Sequence, residues 1–179
     1  MRTLALLLAP ALCVGPAAAK DAVLVKAQGK VSVKAEVTEK FIPAKEGSVL
    51  LYGDTVRVGK RSVAQLTLGQ DAAILLREET EFLIGGSAGQ TELDFSFGEF
   101  LIGLRKKLTK KQSFRVRTPA AVAAIRGTLF WGRSDKKDKS STYAGFGGKV
   151  SVEAQGKTVE VLPGKTVIVA GYAREKAEP

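Results

Sequence analysis

The chain of 179 residues has 28 lysines and arginines against 18 aspartates and glutamates, a formal net charge of +10, and it contains no histidine. Its single cysteine, Cys13, and its single methionine, Met1, both lie within the first nineteen residues. Histidine acid–base chemistry is therefore excluded, and beyond residue 19 so are cysteine nucleophiles, disulfides and most zinc sites.

The first nineteen residues, MRTLALLLAPALCVGPAAA, have the pattern of a secretory signal peptide. Arg2 precedes an apolar run, and three alanines end the segment at a cleavage site of small residues. We expect cleavage there and export to the periplasm or beyond. Pro10 and Pro16 interrupt the apolar run, so we expect no transmembrane helix. Arg2 is the only charged residue removed, so the net charge of the mature chain falls only to +9.

Apolar residues recur at every second position through most of the remaining chain, which is the period of a β-strand with one buried face. Clear examples are Ala64/Leu66/Leu68, Leu93/Phe95/Phe97 and Phe100/Ile102/Leu104. Glycine-containing turns separate these segments at intervals of roughly 8 to 12 residues, as an all-β domain requires. We predict one all-β domain over residues 20–172, a compact roll or solenoid-like stack of β-hairpins or, alternatively, a two-sheet β-sandwich. A disordered tail is predicted over residues 173–179.

One heptapeptide pattern occurs near both ends of this domain, as GKVSVKA from Gly29 and as GKVSVEA from Gly148. GDTVRVG follows the first copy and GKTVIVAG follows the second, so each end predicts a strand, a connection and a second strand. Two interpretations remain open. The pattern is either a favourable turn and strand used twice, or the mark of two related β units that flank an inserted middle.

Carboxylates form two groups between these copies, residues 78–81 and residues 92–99. Glu79 and Glu81, like Glu92 and Asp94, alternate with other residues, which is the pattern of a solvated sheet face. A glycosidase would instead need an acid and a base on opposite sides of a sugar bond. Neither an aspartate-rich calcium loop nor a glycine-rich phosphate loop occurs in the sequence. We therefore expect no enzyme, no metal and no cofactor.

A basic run occupies LRKKLTKKQSFRVR, residues 104–117. Arg115 and Arg117 flank Val116, so on a strand they share one face, opposite Phe114 and Val116. The run is either a solubilising surface or a binding surface for anionic polymers, with an affinity that falls as salt rises. Its cations are Arg105, Lys106, Lys107, Lys110, Lys111, Arg115 and Arg117.

The next segment, TPAAVAAIRG, does not have a clear strand period. Thr118 and Pro119 could begin a short helix, and the segment could equally be an extended turn. We expect Arg126 to be partly buried, where its guanidinium would tie loop carbonyls or a carboxylate together in a structural role. The alternative is that Arg126 recognises a partner. The polar residues 133–141 predict the loop of a β-hairpin.

Residues 118–132, TPAAVAAIRGTLFWG, resemble the signature T-P-x-A-V-x-x-x-R-G-T of FecR-type domains. Upstream, GSVLLYGDTVRVGKRSVAQLTLGQDAAILLREETEFLI is similar to the strand rhythm of the same family. The likeness spans about residues 22–170 and is most specific over about 47–133. The residues that match the family motif are Thr118, Pro119, Val122, Arg126, Gly127, Thr128, Gly53 and Asp54.

The best-known members of this family are periplasmic parts of regulators that restrain a sigma factor and sense an outer-membrane transporter. The resemblance implies an exported, non-catalytic β domain that acts as an interaction or regulatory module in the bacterial cell envelope. We expect a stand-alone form, without the anti-sigma segment or the transmembrane helix. The expected partner is an envelope protein or an anionic envelope polymer, and not nucleic acid. The alternative function is the binding of anionic envelope glycan through the basic run.

Overall fold

The computed structural model describes residues 22–87, 89–126 and 129–171. The predicted signal peptide, residues 1–19, and the predicted tail, residues 173–179, lie outside these ranges. The described residues form sixteen β-strands and no helix, which confirms the all-β prediction. No helix able to cross a membrane is present in the ranges described. The strands are β1 (Ala22–Gln28), β2 (Val31–Lys34), β3 (Ile42–Pro43), β4 (Val49–Leu50), β5 (Thr55–Val58), β6 (Val63–Leu68), β7 (Ala72–Leu76), β8 (Thr80–Ser87), β9 (Gln90–Leu104), β10 (Ser113–Arg117), β11 (Val122–Arg126), β12 (Leu129–Ser134), β13 (Ser141–Gly145), β14 (Lys149–Ala154), β15 (Lys157–Val161) and β16 (Thr166–Val169).

Hydrogen bonds join these strands into one mixed sheet, which the long strand β9 divides into two halves. Half I contains, in spatial order, β4, β1, β6, β7, the end of β9, β12, β13 and β16. Half II contains β3, β2, β5, β8, the start of β9, β10, β11, β14 and β15. Neighbours are antiparallel except β9 and β10, which are parallel. The structure is thus one continuous mixed sheet whose two halves share strand β9.

Strand β9 crosses from half II to half I at Gly98. This glycine has a φ of +116°, a conformation that L side chains rarely adopt, and an added Cβ would collide with Thr80. The buried Thr80 hydroxyl accepts a hydrogen bond from the Glu99 backbone N–H at 3.0 Å. A glycine and a threonine on neighbouring strands therefore fix the crossing.

The two halves bury their inward faces in a common core. Five aromatic side chains form a continuous stack through that core, with successive ring centroids 4.9, 4.0, 6.0 and 5.8 Å apart. Each is fully buried, and burial of such a side chain stabilises the fold by about 1.5–3 kcal/mol. The stack links the halves, because it runs from Phe82 and Phe95 in half II to Phe100, Phe130 and Tyr143 in half I.

The segment after Pro119 is a strand and not a helix. Ala123 and Ile125 are buried and their neighbours on β11 are not, which is the period of a strand, so the helix alternative is wrong. The turn alternative holds only for residues 118–121, where the Thr118 N–H donates to the Ala121 carbonyl. The predicted hairpin around the polar loop is also confirmed, since β12 and β13 pair as far as Ser134 and Ser141.

The two GKVSV segments occupy unlike places in the sheet. β2 pairs with β5, which is the strand of GDTVRVG. By contrast, β14 pairs with β11 and β15, while the strand of GKTVIVAG, β16, pairs with β13. What the copies share is a glycine in the left-handed region, with φ of +83° at Gly29 and +73° at Gly148. The repeat is therefore a turn and strand used twice, and not a pair of equivalent β units.

Candidate functional site

The motif threonine, Thr118, lies buried between the two halves of the sheet. Its backbone N–H donates to the Ala121 carbonyl at 2.9 Å, and its hydroxyl oxygen accepts the Ala121 N–H at 3.2 Å. Across the core, the same oxygen lies 2.6 Å from the Tyr143 hydroxyl and accepts a hydrogen bond from Ser141 at 2.9 Å. Burial raises the pKa of Tyr143, so its phenol keeps its proton. Thr118 therefore ties the turn before β11 to β13.

The second motif pair, Gly53 and Asp54, closes a turn between β4 and β5. Gly53 has a φ of +93°, and the Asp54 carboxylate accepts the Leu51 backbone N–H at 3.0 Å. The Gly53 N–H donates to the Ile84 carbonyl, and the Ile84 N–H donates to the Asp54 carbonyl, which docks the turn on β8. These contacts give the pair a structural role.

The motif arginine, Arg126, differs from its prediction because its side chain is exposed. On β11 the inward positions are Ala123 and Ile125, so Arg126 points to the outer face of half II, opposite Lys149 on β14. It forms no ion pair or side-chain hydrogen bond with any other residue that the structure describes. The expected burial of Arg126 is therefore wrong, and its expected structural role stays a prediction. Gly127 and Thr128 lie outside the described residues.

Arg126 lies instead beside part of the basic run. Together with Lys110 and Arg115 it lines a shallow depression of about 290 Å³, which we call the basic groove. Strand pairing explains this arrangement, because Arg115 lies opposite Ala124 on β11, one outward position before Arg126. The other lining residues are Leu108, Thr109, Gln112, Ser113, Phe114, Ala124 and Ile125.

The loop that carries Lys110 is held in place by its own hydrogen bonds. The Gln112 side-chain oxygen accepts from both the backbone N–H and the hydroxyl of Thr109, each at 3.1 Å. The Ser113 N–H donates to the Gly89 carbonyl at 2.9 Å, which fixes the loop to the turn before β9. Lys110 is thereby positioned at the rim of the groove by an ordered turn.

The rest of the basic run does not enter this groove. Arg117 forms an ion pair with Glu92, with nitrogen–oxygen distances of 2.7 and 2.9 Å. Burial raises the pKa of the neighbouring Asp94 carboxyl, Arg117 opposes that rise, and Glu92 adds to it. The remaining cations, Arg105, Lys106, Lys107 and Lys111, are exposed on the loop between β9 and β10.

Three cations without acidic partners among the described residues can attract and hold a carboxylate, phosphate or sulfate group. The two guanidinium groups each offer a planar fork of donors that matches such oxyanions. The alternation of Ala123 and Ile125 could have shown that Arg126 points outward, although not that it lies beside the basic run.

Comparison with known proteins identifies the family. The family model described as FecR protein matches residues 54–165. Two crystal structures of a proposed anti-sigma factor from Parabacteroides distasonis ATCC 8503 have the same fold. Each aligns with a TM-score of 0.59 at 20% identity over 66% of this chain.

The chain covers 55% and 56% of those two structures, and thus spans little more than half of their length. No curated protein matches the sequence. The FecR match covers well over half of the chain and includes the Thr118 turn and the basic groove. The protein therefore belongs to the FecR family.

Proposed function

We propose that the protein is an exported, non-catalytic interaction module that regulates a process in the bacterial cell envelope by binding an acidic protein partner at the basic groove. Membership of the FecR family supports the regulatory role, and the similar fold of a proposed anti-sigma factor agrees with it. The signal-peptide pattern of residues 1–19 supports export.

The observation that carries the proposal is the set of three cations in the groove that have no partner within the described residues, Lys110, Arg115 and Arg126. Arg117, in contrast, has an acidic neighbour in Glu92. Arg115 stands opposite Glu92 in the β9–β10 pairing, yet Glu92 is bound to Arg117 instead. The groove can therefore receive an acidic group from another molecule. The positive potential of the groove would accelerate the approach of that molecule.

Crosslinking in intact cells followed by affinity purification tests this proposal. The wild-type protein should recover a specific envelope protein, and the Lys110→Gln/Arg126→Gln variant should recover much less of it. A matched control is Lys137→Gln/Arg61→Gln, which removes one lysine and one arginine from exposed positions elsewhere and should recover the partner normally. Recovery of no specific protein, or equal recovery by both variants, would contradict the proposal.

A second candidate function is the binding of anionic envelope glycan at the same site. The exposed loop cations Lys106, Lys107 and Lys111 favour it, because they extend the positive surface beyond the groove, as a repeating polymer requires. Co-sedimentation with purified peptidoglycan or lipopolysaccharide should then weaken steeply as salt rises. It should be lost when these three lysines and Lys110 are neutralised. Binding that is the same at every salt concentration would exclude this candidate.

A further inference from the structure

The basic groove continues into a second depression along the outer face of strand β11. This depression has a volume of about 560 Å³, and it shares Arg115 and Ala124 with the basic groove. Its other lining residues come from β10, β11, β14, β15 and the turns that join them. We call the two depressions together the long groove.

Small side chains form the floor of the long groove. Ala124 on β11 and Ser151 on β14 lie opposite each other and point outward. Val122 is the next outward residue of β11, since outward residues recur at every second position. Arg115 lies beside Ala124 on β10, and Glu153 lies beside Val122 on β14. Longer side chains therefore flank a line of short ones, which leaves a trough along β11.

The two ends of the long groove carry opposite charges. One end has the cations of the basic groove. At the other end the Glu153 side chain is exposed, and it forms no ion pair or side-chain hydrogen bond within the described ranges. The neighbouring Glu160 differs, because its carboxylate lies 3.5 Å from the Lys149 ammonium group. Glu153 is therefore available to a cation from another molecule.

The separation of these charges indicates the shape of the occupant. Arg126 and Val122 lie at opposite ends of β11. At a rise of about 3.3 Å per residue they are about 13 Å apart, and Glu153 lies about 4.8 Å further across the sheet. The two charged ends are thus about 14 Å apart, which an extended peptide spans with about four residues.

A peptide suits the long groove better than a uniformly anionic polymer does. Such a polymer would place negative groups against Glu153, where like charges repel each other. A peptide can carry both charges in one segment. Its backbone amides can also bond to the polar side chains along the trough, which are Ser151, Gln155 and Thr158.

We propose that the long groove binds an extended segment of the partner, with an acidic side chain at the basic groove and a cationic side chain about four residues away, at Glu153. This inference rests on the proposed function, and it narrows the partner from any acidic surface to an exposed segment of mixed charge. Each exposed ion pair contributes modestly, so selectivity comes from the spacing of the charges.

Fluorescence anisotropy on the full chain tests this inference with dye-labelled hexapeptides whose ends are blocked. The peptide EEASAK places a lysine four residues after a glutamate, and AEKESA has the same composition with the lysine between the glutamates. Hexaglutamate carries acidic groups alone and tests the basic groove by itself. We expect EEASAK to bind about threefold more tightly than AEKESA at low salt, which is the scale of one exposed ion pair.

Variants of the second depression separate the two sites. Glu153→Lys should weaken the binding of EEASAK and strengthen that of hexaglutamate. Glu39→Lys, the same change at an exposed position between β2 and β3, should alter neither. Ala124→Phe should weaken the binding of EEASAK because the ring fills the trough, and Ala144→Phe on the outer face of half I should not.

The outcomes distinguish a failure of this inference from a failure of the proposed function. If Glu153→Lys strengthens the binding of both EEASAK and hexaglutamate, or if EEASAK and AEKESA bind equally, the mixed-charge segment is excluded in favour of a uniformly anionic partner. The basic groove then stands. If hexaglutamate does not bind the wild type, or binds Lys110→Gln/Arg126→Gln equally well, both are overturned.

Discussion

Thr118→Val is the most informative change to the core, because it removes one hydroxyl and keeps the shape of the side chain. Four buried groups then lose a hydrogen bond, namely the hydroxyls of Ser141 and Tyr143 and the N–H and carbonyl of Ala121, of which the carbonyl keeps its bond from the Thr118 N–H. Leaving a buried polar group without a partner costs about 1–3 kcal/mol, and the two hydroxyls can partly compensate by bonding to each other. We expect the free energy of unfolding to fall by about 2–4 kcal/mol.

Chemical denaturation at neutral pH measures this loss as a lower midpoint with an unchanged slope. Thr158→Val on the exposed strand β15 is the matched control and should change the free energy of unfolding by less than about 0.5 kcal/mol. Thr118→Val combined with Tyr143→Phe should destabilise by less than the sum of the single changes, since both act on one hydrogen bond. A loss at Thr118 no larger than that of the control would refute the view that this hydroxyl ties the halves together.

Three further predictions concern other positions. In Asp94→Asn, the unfolding midpoint should rise at neutral pH and match the wild type in acid. The raised pKa of Asp94 means that this carboxyl stabilises the fold when protonated, and that contribution is lost as pH rises through the folded-state pKa. A variant with no gain at neutral pH would contradict this. Gly98→Ala should lower the free energy of unfolding by more than about 2 kcal/mol, because the φ is left-handed and Thr80 blocks the new methyl group; a normal thermal melt would refute it. Arg126→Gln should melt like the wild type and lose partner capture, and a clear drop in melting temperature would restore the structural role expected from the sequence.

Much of the local structure was predictable, because alternation directly reports which side chains face the core. Strand β6 is one case: Ala64, Leu66 and Leu68 are buried and the residues between them are partly exposed, as the period of two predicts. Arg115 and Arg117 likewise point outward together. Such predictions need no knowledge of which strands pair.

The candidate site was less predictable, since it depends on pairing between distant segments. Arg126 lines the same groove as Lys110 because β10 and β11 pair antiparallel, and no local pattern specifies that register. Strands such as β7, with Leu75 outward between the buried Ile74 and Leu76, are apolar on both sides, so alternation alone does not show which side faces the core.

Site-specific photo-crosslinking tests the central claim, that the basic groove binds an acidic envelope protein. A photo-reactive residue would replace Thr109, which is exposed and lines the groove, in cells that express the full chain. We predict one discrete adduct with an envelope protein, which Lys110→Gln/Arg126→Gln abolishes and Lys137→Gln/Arg61→Gln preserves. The absence of any adduct at position 109, or an adduct that forms equally in both variants, would contradict the claim.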